Sequence, residues 1–193
     1  MGSQSRTKMI EGAARLLAEH GVQGTSFTEV LKLTGAPRGS IYHHFPGGKD
    51  QLISEAMEFA GARVVGLLEQ KAGESASEIT RYFLHLWREV LLRSDYQAGC
   101  SVLAVTVATD SPLLREQAAT VFDAWRQALA RLLHTGGLNE ADADGFAATL
   151  IASSEGAIVL SRAQHSTEPF DVVSQQLLAR LAALQEHPPS RPA

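Results

Sequence analysis

A single cysteine, Cys100, in 193 residues excludes an internal disulfide and any multi-cysteine metal knuckle, and it suits a reducing compartment. No apolar run reaches the length that spans a bilayer. The opening Met1-Gly2-Ser3-Gln4-Ser5-Arg6 has none of the apolar stretch of a secretory signal. A cytoplasmic protein is the expectation. Motifs for catalysis are missing as well. There is no His-Glu-x-x-His, no Glu-x-x-His of a di-iron bundle and no Gly-x-Ser-x-Gly elbow. Gly48-Lys49 lacks both the upstream glycine of a phosphate loop and the following Ser or Thr. The chain is therefore expected to be neither an enzyme nor a carrier of a cofactor or metal. Disorder is excluded by composition, because 45% of the residues are apolar and only 20% charged.

The formal net charge of −4 argues against nucleic acid only until it is divided by region. Residues 1–50 carry Arg6, Lys8, Arg15, Lys32, Arg38 and Lys49 against Glu11, Glu19, Glu29 and Asp50, a net +2, and the remainder carries −6. A modestly basic head on an acidic body fits a protein that meets DNA with one end.

Helical spacing dominates the chain. Met9, Ile10, Ala13, Leu16 and Leu17 predict a helix over 6–20 with Gly21 as its cap. Ser26-Phe27-Thr28-Glu29 has the form of a capping box and opens a short helix over 27–34 that stops at Gly35. Pro37 suits the first position of a third helix that runs to Phe45, before Pro46-Gly47-Gly48 breaks the chain. A long helix is expected over 49–72. Others follow over the Ile79–Leu91 region, from Ser111-Pro112 to Gly136-Gly137, from Asn139 or Asp142 to before Pro169, and over 171–186. Val102 to Val107 has strand propensity, but no second strand exists to pair with it, so it too reads as a helix. The tail after His187, with three prolines, reads as disordered. The expected fold is all-α. Residues 1–50 form a three-helix, helix-turn-helix DNA-binding domain, residues 51–187 a helical ligand-binding and dimerisation domain, and residues 188–193 a tail.

Two short helices joined by a tight turn have the proportions of a helix-turn-helix, whose second helix enters the major groove, although an ordinary helical hairpin shows the same periodicity. The wording of residues 26–52 is more specific. Ser-Phe-Thr-Glu-Val-Leu-Lys-Leu-Thr-Gly-Ala-Pro-Arg-Gly-Ser-Ile-Tyr-His-His-Phe-Pro-Gly-Gly-Lys-Asp-Gln-Leu closely resembles the DNA-binding signature of the TetR family. In that signature a recognition helix ends in Tyr-x-His-Phe and a Lys opens the next helix. Gly99-Cys100, the Val-rich segment after it and the last helix pair resemble the TetR subgroup that regulates lincomycin-resistance and quercetin-dioxygenase genes.

Arg38 offers a charged fork at the start of the recognition helix, Gly39 permits close backbone approach to a base edge, and Ser40 can meet a base or a phosphate. The resemblance implies phosphate contacts for Tyr42, His44, Thr28 and Lys49. His43 stands where many relatives carry Tyr or Trp. The Phe45-Pro46-Gly47-Gly48-Lys49 spacer is one residue longer than the common form. Val30, Leu31, Ile41 and Phe45 are expected to form the core of the head.

In the body, Tyr82, Phe83, Trp87, Cys100, Phe122 and Trp125 are candidates for a ligand pocket, against the alternative of plain core packing, with His85, Thr106 and Gln127 as possible polar groups. The resemblance implies a pocket for a small effector, and the subgroup implies planar aromatic compounds such as flavonoids. The expected partners are operator DNA, this effector and a second copy of the chain, with no membrane. Leu177, Leu181 and Leu184, beside Ala152, Ser153, Gly156 and Ile158, are the expected two-fold interface. The rival reading is an all-helical small-molecule-binding protein without DNA affinity.

Overall fold

A computed structural model of the chain describes residues 2–186, with side chains from residue 4. The tail expected at 188–193 lies outside the described residues. Among those described the chain forms nine helices and no strand. They are α1 (Gly2–Gly24), α2 (Phe27–Thr34), α3 (Arg38–His44), α4 (Gly48–Glu69), α5 (Ala76–Arg93), α6 (Ser101–Ala108), α7 (Pro112–Thr135), α8 (Glu140–Gln164) and α9 (Glu168–Glu186). The all-α expectation holds, and the Val-rich stretch is a helix. The chain divides into two compact units. The first holds α1 to α3, α4 as far as Arg63, and Gln97–Phe122; the second holds Val64–Tyr96 and the chain from Asp123 on.

In the first unit Met9, Ala13 and Leu17 of α1, Val30 of α2, Ile41 of α3 with Phe45 after it, and Leu52, Ile53, Ala56 and Met57 of α4 are fully or almost fully buried. Leu31 is only half-buried. The regular part of α1 ends at Gly21, whose φ of 66° and ψ of −169° break the helix before its last turn. At Gly12 the backbone of α1 meets α2 so closely that an added Cβ would stand 2.6 Å from Thr34 Cγ2. Ser26 caps α2 by accepting from the Glu29 amide at 3.2 Å. Among the described residues the reciprocal half of the expected capping box is not formed, and the Glu29 carboxylate lies 3.7 Å from Lys32. α2 closes at Gly35, whose amide donates to Leu31 O at 2.9 Å. Pro37 is the N-cap of α3 rather than its first residue, with extended ψ of 136°. From the middle of the chain α6 packs along α1, buries Val102 and Val105, and is preceded by a hydrogen bond from Gly99 N to Ala18 O at 2.9 Å.

In the second unit α5 opens on a complete capping box, Ser75 with Glu78. The hydrogen bonds from Ser75 hold the Glu78 carboxyl below its ordinary range. α5 packs against α8 and α9, and Ala76 N donates to Gly136 O at 2.9 Å. α8 is long and apolar enough to cross a membrane by length and composition, but half of its most apolar window is buried inside the protein, as in a core helix. Two expectations are corrected here. α4 ends at Glu69 rather than near 72, and short-range turns such as Lys71 N to Leu68 O close the chain after it. The last helix begins at Glu168 and includes Pro169. A proline in the first turn forfeits only an amide that has no helical acceptor, and Asp171 N donates to Thr167 O at 2.8 Å. Leu177 and Leu181, expected at a two-fold interface, are buried within their own chain, at 4% and 0% exposure, while Leu184 is half-buried.

Candidate nucleic-acid interface and effector region

Three residues, Gly35 to Pro37, join α2 to α3. A groove of about 510 Å³ between the two helices is lined by Phe27, Thr28, Leu31, Lys32, Ala36, Arg38 and Tyr42. The structure thus brings Thr28, Arg38 and Tyr42 to one surface. Tyr42 is 69% exposed, and its ring meets the ring of Phe27 edge-on at 5.4 Å. Arg38 is exposed and makes no hydrogen bond or ion pair with any described residue. Gly39 is also exposed, and a Cβ added there would meet nothing within 4 Å. No packing among the described residues therefore calls for glycine at this position. Ser40 is half-buried and donates to Pro37 O at 2.7 Å. His43 is exposed and His44 half-buried, with ring centroids 5.4 Å apart at the end of α3.

Lys49 differs from the rest. It is half-buried, and its Nζ donates to Val22 O at 2.7 Å, across 27 positions of sequence. Sequence reasoning also missed Arg6. Its Nη2 lies 2.6 Å from Glu55 Oε1 and 2.5 Å from Oε2, and its guanidinium stands 5.3 Å from the centroid of the Phe45 ring. No local pattern signals such partners.

The six candidates for the effector region are divided between the two units. Tyr82, Phe83, Trp87 and Trp125 belong to the second unit, whereas Cys100 and Phe122 belong to the first. Phe83 and Trp87 meet edge-on with centroids 6.4 Å apart, and Trp87 meets Trp125 at 6.0 Å. All three are buried. Tyr82 is half-buried under the Lys71 ammonium, 5.0 Å from its ring centroid. Cys100 is buried and caps α6, its Sγ accepting from Leu103 N at 3.4 Å. His85, Thr106 and Gln127 are exposed, so they stand outside the buried aromatic cluster. The polar side chains that are buried in the second unit, among the described residues, are others: Thr80, Ser154, Glu155 and Ser161, the last accepting from Phe170 N at 3.2 Å. The hydroxyls of Ser154 and Thr80 have no hydrogen-bond partner among the described residues. Ser154 and Glu155 lie on the buried stripe of α8 between Ile151 and Ile158, a position that periodicity alone could have flagged.

Also in the second unit, a groove of about 680 Å³ runs between α8 and α9, with Gly156, Ala157, Leu160, Val173 and Gln176 among its lining. Val159, Leu160 and Val172 are each half-exposed large apolar side chains on these two helices. Arg88 of α5 ties α9 in place with Nε and Nη2 at 2.8 and 3.3 Å from the two oxygens of Asp171. Those bonds hold the Asp171 carboxyl below its ordinary range.

Comparison with known proteins agrees with this arrangement. Residues 9–56 match the profile described as bacterial regulatory proteins, tetR family, and residues 76–176 match that of the transcriptional regulator LmrA/YxaF-like C-terminal domain. An uncharacterized HTH-type transcriptional regulator of Mycobacterium tuberculosis is 36% identical, with 92% of this chain and 94% of that protein covered. The HTH-type transcriptional regulator LmrA of Bacillus subtilis is 29% identical, with 86% and 90% covered. Among solved structures, a TetR transcriptional regulator from Chloroflexus aurantiacus superposes with a TM-score of 0.77 at 29% identity, over 94% of this chain and 96% of that one.

Proposed function

Because the chain belongs to the TetR family of DNA-binding transcriptional regulators, we propose that it reads operator DNA with α3 as a homodimeric repressor and releases that DNA when a small aromatic effector enters the second unit. The observation that carries the reading is the outer face of α3. Among the described residues Arg38 has no hydrogen-bond or ion-pair partner, a Cβ added at Gly39 would meet nothing within 4 Å, and Tyr42 is exposed in one groove with Thr28. Arg38 is suited to a bidentate base contact and Gly39 to close backbone approach. Thr28, Ser40, Tyr42, His43 and His44 lie around them as phosphate or base contacts.

Repression is supported by relatives that carry it in their names, such as the HTH-type transcriptional repressor AcnR of Corynebacterium glutamicum, which is 38% identical over 76 residues. The effector reading rests on the buried Phe83, Trp87 and Trp125, which offer flat apolar surface, and on the hydroxyls of Ser154 and Thr80 in the same unit, which have no hydrogen-bond partner among the described residues. The dimer reading rests on the exposed Val159, Leu160 and Val172 of α8 and α9. A regulator of this kind works in the cytoplasm, where the chromosome is.

The test is a salt-dependent mobility shift on DNA from upstream of the protein's own gene and on duplexes that the protein selects from a random pool. Arg38→Ala and Gly39→Leu are expected to change preference among operator variants, with about 1–3 kcal/mol lost for a good base contact. Intact operator binding in both variants would remove α3 from the recognition role.

A further inference from the structure

The basic side chains of the head are not equally available to DNA. Arg15 pairs with Glu19 at 2.8 Å and Lys32 approaches Glu29 at 3.7 Å, each within one helix. Arg38 and Lys8 are exposed and pair with no described residue. Arg6 and Lys49 are bound into the fold across long stretches of sequence, and both ties converge on the corner where α3 turns into α4.

One tie can be followed from atom to atom. Phe45 closes α3 by donating its amide to Ile41 O at 2.9 Å, and it is 1% exposed. In the turn after it, Gly47 N donates to Gln51 Oε1 at 2.8 Å. Gln51 Nε2 donates to Glu55 Oε1 at 3.0 Å. Glu55 accepts from Arg6 of α1, whose guanidinium also covers the Phe45 ring. The other tie starts one residue into α4. Lys49 Nζ donates to Val22 O, the carbonyl next to the break at Gly21, which accepts from Thr25 N at 3.3 Å as well. Arg6 thus grips the turn that ends α3, and Lys49 grips the connection that leads into α2.

We propose that Arg6 and Lys49 are positioning residues, which with Glu55 and Gln51 hold the α3–α4 corner and so fix the seat of α3 against DNA without gripping phosphates themselves. The proposal rests on α3 as the reading element. A phosphate-gripping cation and a positioning cation leave different traces. Removing the first weakens operator and random DNA in proportion and lowers the log–log salt slope by about 1 per head. Removing the second misplaces the base contacts, so the operator suffers while random DNA and the salt slope do not change.

The experiment measures affinity and salt slope on two duplexes, one that the wild-type protein selects from a random-sequence pool and one of scrambled sequence. The full-length variants are Arg6→Ala, Arg6→Lys, Glu55→Gln, Lys49→Met and, in parallel, Arg38→Ala and Gly39→Leu. Arg6→Ala, Glu55→Gln and Lys49→Met are each expected to lose roughly three- to tenfold on the selected duplex, the size of one or two hydrogen bonds, with unchanged slope and unchanged scrambled-duplex binding. Glu55→Gln is the sharpest arm, since it keeps shape and removes a negative charge. Charge alone would tighten both duplexes, whereas positioning weakens the selected one. Arg6→Lys keeps the charge but not the planar fork, so it is expected to behave like Arg6→Ala. A fall in slope for Lys49→Met, full rescue by Arg6→Lys, or tighter binding by Glu55→Gln would each overturn the proposal. Should Arg6→Ala fail to fold, the nearly isosteric Glu55→Gln decides. If Arg38→Ala and Gly39→Leu both bind the selected duplex like wild type, the reading of α3 itself fails. If Arg38→Ala or Gly39→Leu loses it while the Arg6, Glu55 and Lys49 variants do not, only the positioning role fails.

Discussion

Gly12→Ala tests how tightly α1 and α2 are set together. In an exposed helix the change stabilises by about 1 kcal/mol, the difference in helix propensity. Here the new Cβ would stand 2.6 Å from Thr34 Cγ2 and 3.6 Å from Leu33 Cδ2, so the threonine methyl must retreat by about 1 Å to reach ordinary contact. Thr34 cannot swing aside freely, because its hydroxyl donates to Val30 O at 2.7 Å and its χ1 is stiff. Overpacking of this kind costs about 1–3 kcal/mol, which outweighs the propensity gain. Thr34→Ser removes the methyl and keeps the hydroxyl, at a cost of up to ~0.8 kcal/mol for one methyl group. In the double variant the added and deleted methyls occupy the same space, so the two changes should couple favourably by about 1–2 kcal/mol. For a chain of this size that is roughly 2–8 °C in Tm, measured by thermal melts at one fixed protein concentration. The reasoning fails if Gly12→Ala alone raises Tm and Thr34→Ser adds nothing to it, since α1 and α2 would then have room to spare.

On assembly, Val159→Glu and Leu160→Glu should yield a folded monomer by sedimentation at low micromolar concentration, whereas Leu181→Glu should unfold because its side chain is fully buried in its own chain; dimers in both exposed-face variants would exclude that face. A bound aromatic effector should quench Trp87 and Trp125 and weaken operator binding together, by roughly 5- to 150-fold for a coupling of ~1–3 kcal/mol; quenching with unchanged DNA affinity would mark an incidental cavity. The Asp171 carboxyl is lowered chiefly by its hydrogen bonds from Arg88, so its contribution to stability is present above the ordinary carboxyl range and is lost as pH falls through the lower folded value. Asp171→Asn should therefore flatten the loss of Tm below about pH 4, and an acid limb identical to wild type would deny the pair that role.

Local signals were legible in the sequence where the physics is local. Ser26 and Gly35 bracket α2, Pro37 marks the entry to α3, and the Val-rich stretch of α6 could be recognised as helix because a lone strand has no partner. What could not be read is anything that joins distant positions. Lys49 to Val22 and Arg6 to Glu55 are partners only because α1 and α4 meet in space, and no spacing rule spans such separations. The leucines of α9 illustrate a second limit. Periodicity shows that Leu177 and Leu181 share a face, but not whether that face meets its own chain or a second copy. The structure buries both within the chain and leaves Val159, Leu160 and Val172 outside. Pro169 misled for a third reason, because a proline that would end a helix is harmless in its first turn.

The packing of α6 along α1 bears on recombination between regulators. A chimera spliced at residue 50 would carry α1 to α3 onto a foreign body without the helix that covers α1 in this chain, and would also strip the hydrogen bond that Gly99 makes to Ala18. The head of this chain is not a free cassette. A graft that aims to retarget another regulator has to bring α6 with the head, or redesign the exposed side of α1, before its operator preference can be judged.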